Sequence, residues 1–386
     1  MPQESQTRYH GLDALRGIAM MLGIVLHAAL PYVEPYTWDD FSTYWPQDSD
    51  ASFAIAVIND FIHSWRMPTF FILSGFFTHL VIARNSWQHW YRNRFMRILL
   101  PLIIFSPLMA ATLPSIFNYG FELSKSGEAS LQSFLSWEGY PFHLWFLWHL
   151  LIFAVGALCI QGINKILYAF CSLIHLHVLI NGMKKAKTMT GHFFFDSSYP
   201  VSIILLLTFV TLWTGGDLLT NPLGSSLYFV LGYRLYVNEK LLATIYSHWK
   251  YYFNVGLISF VYLLVLISMR SDFGDEDLRW ILYVLAVIST NILLSYGIIG
   301  FFMNKCSEYN KYLKFIADSS YWIYLVHLPI VTLITFVMLP LNIFAEIKFI
   351  LAIGLTSLFC LVSYKLFVRS TIVGLLLNGK THPFRN

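Results

Sequence analysis

Apolar runs separated by short polar segments recur from one end of the chain to the other. A helix rises 1.5 Å per residue, so about 20 apolar residues cross the roughly 30 Å hydrocarbon core of a bilayer. Ten such runs fall at residues 12–33, 52–83, 96–116, 142–163, 199–216, 221–237, 251–270, 279–302, 315–340 and 345–368. The second is long and carries polar residues, and the fifth and sixth are short and meet at Asn221-Pro222. The pattern predicts an all-α, polytopic integral membrane protein made of one domain over residues 1–386. No soluble domain fits between the runs, and no internal repeat is visible. Asp13 and Arg16 lie inside the first run and no small-residue cleavage site follows it, so the start does not read as a cleavable signal peptide.

Composition agrees with this reading. Of 386 residues, 57% are hydrophobic and 12% charged, where soluble domains carry about a quarter charged. The mean hydropathy is +0.59. Disordered and collagenous classes are excluded. The aromatic share of 18% suits lipid-facing helices with interfacial Trp and Tyr. A net charge of +4 without a long basic run argues against a nucleic-acid partner. Cys159, Cys171, Cys306 and Cys360 show neither metal-ligand nor disulfide spacing, so no metal is expected.

Charge also sets orientation. Positive residues gather on the cytoplasmic side. With the N-terminus cytoplasmic, 20 of the 25 Lys and Arg fall inside; Lys125, Arg270, Arg279 and Lys348 fall outside, and Arg66 lies within the second run. Both termini are therefore predicted to be cytoplasmic. Residues 166–182 are apolar enough for an eleventh span, which would put the Lys184–Lys187 cluster outside. The charge bias favours a cytoplasmic interfacial helix or re-entrant segment there. The first outer loop, Glu34 to Asp50, holds five acids and no Lys or Arg. It also holds Tyr36, Trp38, Tyr44 and Trp45, a composition that suits sugar rings as well as an interfacial belt.

Ionisable residues inside a membrane are costly and tend to mark function. The first run carries Asp13, Arg16 and His27, and the second Asp60, His63, Arg66 and His79. The fourth carries His143 and His149, the ninth Asp318 and His327. Arg16 and His27 are eleven residues apart, on one helix face and roughly 16 Å apart along its axis. Asp60, His63 and Arg66 follow at i, i+3 spacing, at a depth similar to His27. Single histidines such as His79 and His149 suit hydrogen bonds between helices; the set His27, Asp60, His63 and Arg66 suits a site better. Pro68, Ser74 and Gly75 are expected to interrupt the second helix. Arg92, Arg94 and Arg97 form a guanidinium cluster suited to phosphate and also to positive-inside anchoring.

At these residues the sequence resembles the membrane acyltransferase 3 family. The resemblance rests on four stretches: GLDALRGIAMMLGIVLH (11–27), INDFIHSWRMPTFFILSGFF (58–77), HLWFLWHLLIF (143–153) and DSSYWIYLVHLPI (318–330). Within the family, the combination is most like members of the bacterial inner (plasma) membrane that succinylate periplasmic glucans. The resemblance implies a cytoplasmic acyl-CoA donor, in the first instance succinyl-CoA, with no permanently bound cofactor. It also implies an acceptor hydroxyl on a periplasmic glucan or another glycan across the membrane. Arg16 and His27 match the family's essential pair. Arg94 and Arg97 match its Arg-x-x-Arg motif, and Ser74, Gly75 and Phe76 its Ser-Gly-Phe motif. On this expectation Arg16, Ser74, Arg92, Arg94 and Arg97 bind the donor.

Chemistry suggests the remaining roles. A sugar hydroxyl needs a general base, and His27 is placed to serve. Asp60 or His63 would orient it, and Arg66 or His63 would stabilise the oxyanion. Trp38, His143, Trp145 and His327 are the expected acceptor contacts. Acetyl transfer to another surface glycan is the alternative, and a transporter with a proton relay is the third reading. Paired broken helices in two related halves, the mark of many transporters, are not seen.

Overall fold

The computed structural model describes residues 9–33, 44–132, 135–137, 141–173, 200–215, 219–269 and 276–378, with positions 185, 189 and 195. The regular elements among them are all helical. In chain order they are α1 (His10–Ala29), α2 (Phe53–Arg84), α3 (Trp87–Arg94), α4 (Leu100–Ser126) and α5 (Trp145–Leu173). Then come α6 (Val201–Thr214), α7 (Pro222–Val237), α8 (Glu239–Ser247), α9 (Trp249–Ser268) and α10 (Glu276–Lys305). α11 (Lys311–Val337), α12 (Ala345–Ser363) and α13 (Ile372–Asn378) complete the series. Eight helical stretches among the described residues are long and apolar enough to cross a membrane. They match the first four and last four predicted runs. The fifth and sixth runs form α6 and α7, of 14 and 16 residues, which at 1.5 Å per residue fall short of a full hydrocarbon core.

Two expectations about helix ends change. Residues 166–173, expected to start a separate surface segment, continue α5 without a break from Trp145 to Leu173. No proline interrupts that stretch, so nothing stops the hydrogen-bond ladder. Residues 174–182 lie outside the described set. α2 is also unbroken, running through Pro68, Ser74 and Gly75 over 32 residues. Pro68 has no N–H, so the carbonyl of Ser64 loses its helical partner. The side-chain amide of Asn291 on α10 donates to that carbonyl, and also to Val287 O at 3.1 Å, while its own oxygen accepts from the Tyr228 hydroxyl at 3.1 Å. A neighbouring helix thus repairs the ladder, as membrane helices with internal proline require.

α1 lies at the centre and packs on α2, α10, α11 and α12. α2 and α7 touch backbone to backbone. A Cβ at Gly75 would meet the carbonyl oxygen of Phe229 and the Tyr233 nitrogen, and one at Gly232 would meet the carbonyl oxygen of Ile72. Gly75 of the Ser-Gly-Phe motif is therefore a packing residue, a small-residue contact typical of membrane helices. Polar side chains add interhelical bonds: Thr69 Oγ1 to Ser295 Oγ at 2.9 Å, Thr290 Oγ1 to Ser259 Oγ at 3.0 Å, and Trp322 Nε1 to Ser363 Oγ at 3.0 Å.

Beyond α1 the described residues 44–52 fold back over its C-terminal end. Asp48 N donates to Pro31 O and Ser52 N to Tyr32 O, both at 2.9 Å. Lys348 Nζ lies 2.7 Å from Asp48 Oδ2, with both side chains at most 1% exposed. Asp50 Oδ2 accepts from Ala345 N at 2.8 Å, at the start of α12. Two of the loop's five acids thus fasten it to α12, a structural use the sequence reading had not separated from sugar binding.

Candidate active site

Two cavities meet end to end inside the bundle. The first, of about 340 Å³, is lined by His27, His63, Arg66, His143, Trp145 and His327, together with Trp45, Phe117, Phe142 and Tyr324. The second, of about 400 Å³, is lined by Arg16, Ser74, Arg94 and Arg97, together with Asp13, Asp318, Ser320 and Tyr321. Met20, Phe70 and Phe146 line both. An apolar neck therefore separates a histidine chamber from an arginine chamber. α1 spans the arrangement, with Arg16 in one chamber, Met20 at the neck and His27 in the other.

One backbone carbonyl orients two of the histidines. Tyr324 O lies 3.0 Å from His143 Nε2 and 3.0 Å from His327 Nδ1, which also lies 2.9 Å from Ile323 O. A carbonyl can only accept, so both of these ring nitrogens carry the proton. The neutral rings then present bare lone pairs at His143 Nδ1 and His327 Nε2. Both atoms are buried and have no hydrogen-bond partner. The Tyr324 hydroxyl donates to His143 O at 2.8 Å and closes the link between the α5 entrance and α11. Phe142, just before His143, sits at φ +53°, a left-handed backbone that a bulky residue rarely adopts. Such strain persists where the surroundings hold it.

His27 completes the group. Its ring centroid is 5.3 Å from that of His327, which is 5.3 Å from that of His143. Trp45 stacks on His27 at 6.1 Å with the planes 12° apart, and His27 Nδ1 is buried without a partner. Arg66 is 9% exposed, and its Nε has no partner. A Cβ at Gly23 would strike Arg66 Nη1, so glycine at 23 makes room for the guanidinium. No Asp or Glu is among the described residues that line this chamber.

The arginine chamber is different in kind. Arg16 pairs with Asp13 at 3.4 Å and lies over Phe77 at 5.6 Å. Arg94 donates to Thr78 Oγ1 at 2.7 Å and lies over Trp90 at 5.1 Å. Arg97 belongs to a π-helical turn, Phe95–Leu99, and its carbonyl accepts from the Tyr321 hydroxyl. Lys314 pairs with Asp318.

The structure sorts the expected residues accordingly. It brings His27, His63, Arg66, His143, Trp145 and His327 into one chamber, so the expected division into catalytic and acceptor residues is not spatial. His63 is exposed at its edge. Asp60 does not line the chamber and lies 3.4 Å from the Asn59 side-chain amide. Being three residues from His63, it sits one turn away on α2. Arg16, Ser74, Arg94 and Arg97 share the other chamber, while Arg92 lines a separate groove. Trp38 lies outside the described residues. His79 stacks against Tyr233 and Tyr236, and His149 Nδ1 meets Ser225 Oγ at 2.9 Å, both away from the cavities. The sequence reading missed Tyr321 and Tyr324, whose spacing of three from each other and from His327 puts them on one face of α11. It also missed the neck residues, which have no chemical signal.

Polar chambers within a bundle of membrane-length helices define a multi-pass membrane protein. The chain belongs to the acyltransferase 3 family: the family model, described as an acyltransferase domain, matches residues 9–366. It is a membrane acyltransferase. Among curated proteins it is similar to glucans biosynthesis protein C of Escherichia coli (strain K12), 26% identical over 355 residues, covering 85% of this chain and 83% of the relative. The same figures hold for glucans biosynthesis protein C of Shigella dysenteriae serotype 1 (strain Sd197). No solved structure matches the chain.

Proposed function

We propose that this acyltransferase moves a succinyl group from cytoplasmic acyl-CoA to a hydroxyl of a glucan on the other side of the membrane. The observation that carries the reading is the pair of chambers joined by an apolar neck. Its arginine end suits phosphates and its histidine end suits proton transfer. The bias of Lys and Arg supports a cytoplasmic arginine end and cytoplasmic termini, and a bacterial inner membrane fits the relatives' organisms.

In this reading the donor's phosphates rest near Arg94, Arg97 and Arg16. The pantetheine arm passes Ser74 and the neck and presents the thioester near His27, roughly 16 Å along α1 from Arg16. Neutral His27 takes the proton of the acceptor hydroxyl as its oxygen attacks the thioester carbonyl. The carbon–sulfur bond then breaks, and the coenzyme A thiolate leaves and recovers that proton. Trp45, His143, Trp145 and His327 contact the acceptor. Arg66 faces the reacting acyl group. A buried guanidinium with no carboxylate beside it among the described residues carries a large desolvation cost, and an acyl group bearing its own carboxylate would offset it.

Purified protein in lipid vesicles, given labelled succinyl-CoA and a β-glucan, should produce a succinyl ester on the glucan. It should prefer succinyl-CoA to acetyl-CoA, and Arg66→Ala should erase that preference. Equal use of both donors by the wild type would defeat the succinyl assignment. Absence of any transfer from acyl-CoA would defeat the donor assignment.

A further inference from the structure

His143 and His327 point their ring protons at one carbonyl, that of Tyr324, from opposite ring positions: Nε2 in His143 and Nδ1 in His327. The second contact of His327 Nδ1, to Ile323 O, fixes the same tautomer. Both rings are therefore spent as donors. What remains on each is one buried lone pair, at His143 Nδ1 and His327 Nε2, with no partner among the described residues. The two residues are 8% and 3% exposed, and both line the chamber. The His327 lone pair lies beside α1, since a Cβ on Gly23 would be 3.6 Å from His327 Nε2. Gly23 is one helical turn from His27 on that helix. The His327 ring is also the common neighbour, its centroid 5.3 Å from that of His27 and 5.3 Å from that of His143.

Buried acceptors that cannot turn into donors demand a ligand rich in donors. A carboxylate or carbonyl placed there would set lone pair against lone pair. An alkyl chain would leave both nitrogens unsatisfied in a desolvated site. A sugar ring brings hydroxyls on successive carbons. Hydrogen bonds of about 2.8 Å let neighbouring hydroxyls reach acceptors on neighbouring imidazoles. We propose that the chamber recognises a hexose residue by a run of free hydroxyls. The reacting hydroxyl meets His27, the hydroxyl on the next carbon donates to His327 Nε2, and a further one donates to His143 Nδ1. The proposal rests on the glycan-acceptor reading above and adds a rule of selection to it. A residue already substituted beside the reacting carbon has lost the donor that His327 requires. If the substituent is an ester, it also brings a carbonyl toward the lone pair. The chamber therefore selects unsubstituted residues of the glucan and rejects those modified next to the reacting position.

The test gives purified protein in lipid vesicles labelled succinyl-CoA and a series of β-glucosides. The series holds the parent and analogues in which one hydroxyl at a time is replaced by hydrogen or by O-methyl. The position of the ester on the parent identifies the reacting carbon. Loss of the hydroxyl beside it should lower kcat/KM by about ten- to hundredfold, the size of one buried hydrogen bond left unmade. O-methylation there should cost at least as much. In His327→Phe the parent and this deoxy analogue should be used alike, because the accepting atom is gone. His143→Phe should do the same for the further hydroxyl. These ratios do not move if the histidines only hold helices together, and the wild-type series needs no variant to fold. If the wild type used the parent and every deoxy analogue that keeps the reacting hydroxyl with one kcat/KM, or if both variants kept the wild-type ratios, the chamber would not read hydroxyls. An absence of transfer to the parent and to a β-glucan alike would instead sink the glycan-acceptor reading, and this proposal with it.

Discussion

The two chambers are built from similar materials and finished differently. In the arginine chamber the chain supplies partners for its own charges: Asp13 for Arg16, Thr78 and Trp90 for Arg94, Lys314 for Asp318. In the histidine chamber several groups are only half partnered. His143 and His327 each have one nitrogen held by Tyr324 O and the other left bare. Among the described residues, Arg66 has neither a carboxylate in its chamber nor a partner for Nε. An unsatisfied buried polar atom costs roughly 1–3 kcal/mol, more when charged. The protein concentrates that cost on the histidine side of the neck. A chamber with satisfied charges can bind and release; one with bare lone pairs is prepared to take a proton or an anion.

Substitutions on either side should therefore fail differently. The largest effect is expected at His27. His27→Gln keeps a polar group but cannot accept the proton, so turnover should fall by about 10²–10⁴ while donor binding by calorimetry stays near native. Near-native turnover with both substrates saturating would leave His27 as a hydrogen-bonding residue and move the base to His327, whose Nε2 is already bare. Next comes Gly23→Ala. The added methyl displaces the tip of Arg66, a cheap movement for stability and a costly one for function. Loss of one charged contact, about 1.5–3 kcal/mol, predicts a ten- to hundredfold fall in kcat/KM with an unchanged Tm. On the arginine side, Arg94→Ala should raise the donor Kd about tenfold and leave kcat at saturating donor largely intact. An unchanged Kd in the Arg94→Ala, Arg97→Ala double variant would remove the arginine chamber from donor binding. The smallest catalytic effect is expected at Gly75→Ala. It pushes α2 away from α7 and should cost about 1–3 kcal/mol of stability, seen as a lower Tm in detergent, with kcat nearly preserved at low temperature.

Much of this was legible in the chain. Hydropathy alone located the membrane helices, because the bilayer demands long apolar runs. Ionisable residues within those runs marked both chambers, because charge there is too expensive to be incidental. What stayed hidden depends on contacts between distant segments. Arg92 and Arg94, two residues apart on α3, project to nearly opposite sides of the helix, and only the packing around them shows that they line different cavities. Asp60 does not itself line the chamber, but it sits one helical turn from His63, which does. The interruption expected at Pro68 is absent from α2, and the carbonyl that Pro68 frees is met by Asn291, more than 200 positions along the sequence. Met20, Phe70 and Phe146 look like any lipid-facing residues until three helices bring them to the same point.

Those three residues also answer a demand unrelated to catalysis. A protein hollowed from both faces is a potential leak through the barrier in which it sits. Water threading the two cavities would let protons run down whatever voltage the bilayer maintains. The Met20, Phe70 and Phe146 side chains form an insulating plug without a single hydrogen-bonding group. A hydrated ion would have to shed its shell to pass it. On the proposed reading, the constriction would oppose a current while an acyl group is handed across it.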